Sequence, residues 1–278
     1  MDKSQNNPLF KHFRQPSIYL KLPSGGKFYP EGTLDLSVTG EIPIFPMTVK
    51  DEITLKTPDA LINGNGMGEV IMSCCPAIKD PWSIPSVDLD AIFIAIRLAS
   101  YGTGMDINTN CPKCKEANES TVNLTSLLES IPSMSLSETV DIEGMQFEFK
   151  PQTYKDINQM NMITFEERRL VDSVYDSDTT DEEKKKIFAE SFTRLTKLNI
   201  GLLTNNINSV TVDGERVIDP EFIQDFLENC SRDVYNKIKQ SIQTTLEKGK
   251  IPDVDVTCDS CQNQYKTSLE FDQANFFV

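Results

Sequence analysis

Short stretches of alternating apolar and polar residues occupy both ends of this chain, and stripes with three- and four-residue spacing fill much of its middle. From Ile18, IYLKLPSGGKFYP predicts a strand, a Ser-Gly-Gly turn and a second strand, and TLDLSV over 33–38 alternates with period two. A helical region follows Pro46, with Thr48 as a candidate N-cap, and Asn63-Gly64-Asn65-Gly66 reads as a loop. LDAIFIAIRLASY over 89–101 is apolar on nearly all sides, which predicts a buried helix capped by Asp88 and ended by Gly102 and Gly104.

Further along, TVDIEGMQFEF predicts a hairpin turning at Glu143-Gly144, and SVTVDGERVI one turning at Asp213-Gly214. Three helices are marked by their starts. Thr180 and Glu183 form a capping box ahead of a stripe of Phe188, Phe192 and Leu195. Asp219 followed by Pro220 opens a helix whose apolar face holds Phe222, Ile223, Phe226 and Leu227. Ser231 opens the last, with Val234, Ile238, Ile242 and Leu246 at spacing four and Gly249 at its end. All three stripes read as core.

Composition narrows the function classes. The 278 residues carry 42 acidic and 27 basic side chains, a net charge of −15, so phosphate backbones repel the chain unless a local basic stripe intervenes. The candidate stripe, Lys184-Lys185-Lys186, follows Asp181-Glu182-Glu183 on one predicted helix and reads as a solvated face. A single histidine, His12, removes most nucleophilic and zinc-hydrolase sites from consideration. GNGMG over 64–68 lacks the lysine and spacing of a phosphate-binding loop. The densest apolar run, Ala91 to Ile96, falls far short of the ~18 residues of a membrane span. No apolar leader opens the sequence, so the expected compartment is the cytoplasm, where thiols stay reduced.

Cysteine carries the one strong motif. MDINTNCPKCKEANESTVNL over 105–124 and PDVDVTCDSCQNQYKTSLEF over 252–271 align without a gap, placing Cys111 on Cys258 and Cys114 on Cys261. Each copy predicts a strand, a Cys-x-x-Cys turn and a second strand, the form of a zinc-ribbon knuckle. Two knuckles facing each other supply four soft thiolates in a tetrahedron, a closed and therefore structural zinc site. The long insertion between them is no obstacle, because each doubling of a loop adds only ~0.6 kcal/mol to its closure. A thioredoxin-like redox pair would need a helix after the cysteines, and polar, strand-like sequence follows both pairs instead. Lys115 and Gln262 stand where knuckles often carry glycine. Cys74, Cys75 and Cys230 fall in or beside helices and read as buried free thiols.

LPSGGKFYPEGTLDL, PMTVKDEITLKTPDALINGNG, and DAIFIAIRLASYG leading into CPKCKEANE follow one another with a definite order and spacing. On these blocks the stretch from Leu22 to Leu124 resembles a family of baseplate hub proteins of T-even-type contractile-tailed bacteriophages. The resemblance implies a non-enzymatic hub component or hub assembly factor with other tail or baseplate hub proteins as partners. It places the chain in the host cytoplasm during assembly or in the tail baseplate of the virion.

The expected fold is α+β: a mixed N-terminal domain with a split four-cysteine zinc ribbon and a helix-rich insertion between its knuckles. The expected divisions are an arm over 1–17, the mixed domain over 18–105 and a first knuckle over 106–128. The insertion follows over 129–250, and the second knuckle with its tail over 251–278. A structural zinc on Cys111, Cys114, Cys258 and Cys261 is expected, with no catalytic residue, no nucleic acid and no membrane span. A nucleic-acid-binding zinc ribbon or, further off, a thiol redox enzyme are the alternatives. The aromatic ends, Phe10 and Phe13 in the arm and Phe276 and Phe277 in the tail, either fold back on their own domain or dock on neighbouring subunits.

Overall fold

Ile18–Lys21 (β1) pairs antiparallel with Glu41–Ile44 (β2), and not with the residues after the Ser-Gly-Gly turn as the pattern predicts. The cause is the turn itself. Ser24 is buried and donates its amide (2.7 Å) and its hydroxyl to the carboxylate of Asp88, 64 residues away. Gly25, Gly26 and Phe28 then all take positive φ, so no regular strand follows. TLDLSV also forms no strand: the amide of Asp35 donates to Ala77 and Thr33 accepts from Lys79, leaving only an isolated bridge from Leu34 to Ile78. The computed structural model describes residues 8–57, 64–133, 139–175 and 180–269.

Val49–Leu55 (α1) begins as expected at Thr48, which makes a full capping box with Asp51. Asn65–Cys74 (α2) starts directly after Gly64, so Asn65 and Gly66 are helical where the sequence suggested loop. Gly64 sits at φ +71, and a Cβ there would come within 2.5 Å of the Asn158 side chain, so both conformation and space call for glycine. Ser86–Tyr101 (α3) is the buried helix, with Gly102 at its end (φ +90). Asp88 does not cap it: Pro85 precedes the first helical residue, and the Asp88 carboxylate turns inward to Ser24.

Gly104–Asn110 (β3) and Ala117–Asn123 (β4) form the first cysteine hairpin, followed by Leu124–Ser130 (α4). Val140–Ile142 (β5), Met145–Phe149 (β6), Ile207–Val212 (β7) and Glu215–Val217 (β8) make one antiparallel sheet in that order. Both predicted hairpin turns are present, with positive φ at Glu143 and Gly144 and at Asp213 and Gly214. Between β6 and β7 run two long helices, Tyr154–Tyr175 (α5) and Asp181–Asn205 (α6). Pro220–Asn229 (α7) and Arg232–Glu247 (α8) follow the sheet with the predicted Asp219 and Ser231 caps. Val254–Thr257 (β9) and Gln264–Thr267 (β10) close the second cysteine hairpin.

Two hydrophobic cores result. The first gathers β1, β2, α2 and α3 with Leu124 and Leu127 of α4, and Met105, Val122, Val254 and Leu269 from the two cysteine hairpins pack on it. Tyr154, at the start of α5, is buried there and stacks on Trp82 with ring centroids 5.2 Å apart. The second core lies between the four-stranded sheet and α7 and α8, around Phe147, Ile223, Leu227, Ile238 and Ile242. The stripe predicted on α6 joins neither core: Phe188 and Leu195 are half-buried, Phe192 is 73% exposed, and the helix turns Ser191 and Arg194 toward Glu167 of α5. Phe222 of α7 is likewise 66% exposed.

At the N-terminus, Arg14 lies over the Phe45 ring and donates to Pro46 and Ser73, while Ser17 bonds to Ile44, so this end of the expected arm rests on the first core. Phe276 and Phe277 lie outside the described residues, and for Phe10 only its place in a short 3-10 turn is described.

Candidate metal centre

Each Cys-x-x-Cys turn is built by the same backbone bonds. The amide of Cys111 donates to Glu116 (3.0 Å) and that of Lys115 to Cys111 (2.9 Å). The amide of Cys258 donates to Asn263 (2.9 Å) and that of Gln262 to Cys258 (2.9 Å). Lys115 and Gln262 adopt φ of +64 and +57, so the left-handed turn usually given to glycine is made here by two long polar side chains. A tight turn of this kind brings both sulfurs of its pair to one side, and the strand behind each pair holds it against the first core.

The hairpins face one another and bring all four predicted residues together. The Sγ atoms of Cys111, Cys114, Cys258 and Cys261 lie within 4.8 Å of one another. Cys111 and Cys261 are 3.7 Å apart, and Cys114 and Cys258 are 3.6 Å apart. A tetrahedral ion with metal–sulfur bonds of about 2.3 Å sets its sulfurs about 3.8 Å apart, so the cluster fits one such ion. It is too tight for an iron–sulfur cluster of several irons, whose cysteines stand around a larger body. Cys111 and Cys258 are buried and Cys114 and Cys261 half-buried, which screens the centre from water.

Four thiols this close compete for their protons. Backbone amides, that of Cys114 first, hold the Cys111 thiol down to about 6 against the opposing effect of burial. The amide of Glu116 pulls Cys114 the same way, but burial and the neighbouring thiols outweigh it and carry Cys114 up to about 12. One sulfur ionises readily and its neighbour resists a second negative charge. A divalent cation at the centre eases that conflict by attracting all the sulfurs at once and offsetting part of their charge. A strand, not a helix, follows each pair (β4 and β10), so neither thiolate gains the helix dipole of a redox Cys-x-x-Cys.

Sequence reasoning did not find Asn118. This buried side chain of β4 accepts from the amide of Asp259 (2.9 Å) and donates to the Thr257 carbonyl (3.3 Å), both in the second knuckle. On the opposite flank the Thr109 and Tyr265 hydroxyls bond at 2.6 Å. The only available signal is the repeat itself, in which Asn118 aligns with Tyr265. Elsewhere, Cys74 and Cys75 are buried free thiols as expected, and burial before any other influence raises both, Cys74 to about 11. Cys230 is half-buried.

Paired knuckles presenting four thiols to one point, set in a mixed α/β chain, define a protein whose candidate chemistry is metal holding. The chain belongs to the T4 bacteriophage base plate protein family, whose model matches residues 15–278. That match spans both knuckles and the whole insertion, well beyond the Leu22–Leu124 stretch whose blocks carry the resemblance. Against curated proteins and against solved structures, the chain finds no match. Among the described residues, no helix is long and apolar enough to cross a membrane.

Proposed function

We propose that this protein is a non-enzymatic component or assembly factor of a phage baseplate hub, tied together by one structural zinc on Cys111, Cys114, Cys258 and Cys261. The family match supports the baseplate role, and the sulfur cluster is the observation that carries the metal. Four cysteines close the coordination shell and leave no position for a substrate, so the metal's work is to fasten the fold. It joins residue 111 to residue 261 and so clamps both ends of the insertion to the first core.

Other baseplate proteins are the partners, met in the host cytoplasm during assembly and in the tail baseplate. Nucleic acid is not one of them. Around the knuckles the exposed Lys113 and Lys115 are interspersed with exposed Glu116, Glu119 and Asp259, which leaves no continuous basic surface for a phosphate backbone. Affinity purification of the tagged protein from infected cells tests the role. Stoichiometric recovery of baseplate hub proteins supports it, and recovery of the protein alone or with a metabolic complex overturns it.

A further inference from the structure

The thiol cluster needs its two hairpins in register before any ion can join them, and the hairpins are separate in sequence: Asn118 and Thr257 are 139 positions apart. The seam between them is asymmetric in an informative way. In the first knuckle the residue after the leading cysteine is Pro112, which has no amide hydrogen and a fixed φ. In the second it is Asp259, whose free amide donates to Asn118 Oδ1 at 2.9 Å. Asp259 lies inside the Cys258–Cys261 turn, so this bond fixes the loop that aims both sulfurs of the second pair. The remaining capacity of Asn118 is used too: Nδ2 donates to the Thr257 carbonyl at 3.3 Å and to Ser120 Oγ at 3.1 Å. At 4% exposure the side chain has no water to replace these partners, and an unpaired amide there is disfavoured.

We infer that Asn118 is a positioning residue of the metal centre: by holding the Asp259 amide it orients the second knuckle and sets the affinity of the four-cysteine site. The Thr109–Tyr265 bond holds the opposite flank of the same seam. Together they hold the seam through bonds that do not involve the metal, so less disorder opposes metal binding, while the ion remains the stronger tie between the hairpins. This rests on the reading of the four cysteines as a metal site.

The test is Co²⁺ and Zn²⁺ titration of the full-length protein and of Asn118→Ala and Asn118→Asp, with cobalt–thiolate absorption and chelator competition as readouts. The aspartate keeps an acceptor for the Asp259 amide and loses the donor. Residues outside a metal's own ligands commonly change affinity about 10–100-fold. We expect a loss of that size in Asn118→Ala with an altered cobalt spectrum, and recovery of most of the affinity in Asn118→Asp. If Asn118→Ala fails to fold, Asp259→Pro decides, because it removes the amide that Asn118 holds and copies the proline that stands at position 112: a loss of affinity of the same size supports the inference, and wild-type affinity overturns it. Unchanged affinity and spectrum in Asn118→Ala overturn the inference alone. A wild-type protein that binds neither ion overturns the metal reading itself.

Discussion

Lys115 and Gln262 occupy the same position in two turns far apart in sequence, both left-handed, each donating its amide to the carbonyl of its own knuckle's leading cysteine at 2.9 Å. A left-handed conformation disfavours a side chain by roughly 1–2 kcal/mol, while glycine loses roughly 0.5–1 kcal/mol of conformational entropy on folding. Lys115→Gly therefore leaves the stability of the metal-loaded protein unchanged or raises it by up to about 1 kcal/mol. Lys115→Val, branched at Cβ, lowers it. Denaturant unfolding of the two variants side by side checks the order, and a valine variant as stable as the glycine variant would contradict the backbone geometry.

Asp90 lies in the buried helix α3, and burial alone pushes its carboxyl up to about 6. The folded state therefore holds a proton that the unfolded chain has released, in the window between about 4 and about 6. Stability falls as pH rises through that window, and the whole penalty is in place at neutral pH. Asp90→Asn removes it, stabilising the protein at pH 7 by about 3 kcal/mol and having little effect near pH 4. Melting curves at the two pH values read the difference; equal effects at both would show that Asp90 is not desolvated.

In the long helical pair, buried Glu167 of α5 accepts from Arg194 and Ser191 of α6. Those hydrogen bonds, Arg194's first, hold its carboxyl below the usual range. The stabilisation it gives is present above the unfolded value of about 4.3 and is lost as pH falls through the lower folded value. Hydrogen exchange is expected to show the α5–α6 pair opening at acid pH before the core around Phe147 and Ile238. Glu167→Ala should show the same weakened protection at neutral pH, and a variant with undiminished protection would remove this cluster from the account.

How much of this was legible in sequence depended on the range of each interaction. The capping boxes at Thr48–Asp51 and Thr180–Glu183, the Asp219-Pro220 start and both Glu/Asp-Gly hairpins were readable because donor and acceptor lie within a few residues. The thiol cluster was readable because a repeated turn preserves its spacing even when its partner is distant. The β1 partner was misread because the Ser-Gly-Gly turn is shaped by Asp88, far along the chain, and Asp88 was misread as a cap for the same reason. The 22 residues of α5 went unmarked, since the helix mixes its apolar residues with polar ones and buries Glu167 through a charged pair. Phe192 shows the converse: its spacing fits a core stripe, yet no element covers it among the described residues.

The clamp implies a stability consequence. Zinc-site free energies in small domains reach roughly 10–16 kcal/mol, comparable with the ~5–15 kcal/mol of a whole protein. Removing the metal with a strong chelator should therefore lower the melting temperature and expose the β3–β4 and β9–β10 hairpins to exchange together. A melting curve indifferent to confirmed metal loss would mean that the two cores hold without the clamp.

The most direct measurement is the metal content of the purified full-length protein, by elemental analysis with native mass spectrometry. One zinc per chain, lost in Cys114→Ser and equally in Cys261→Ser, is the predicted result, because those residues sit on different hairpins and, on the proposed reading, would share one ion. Zinc retained at full occupancy in either variant, iron in its place, or no metal in the wild type would contradict a single zinc shared by the two knuckles.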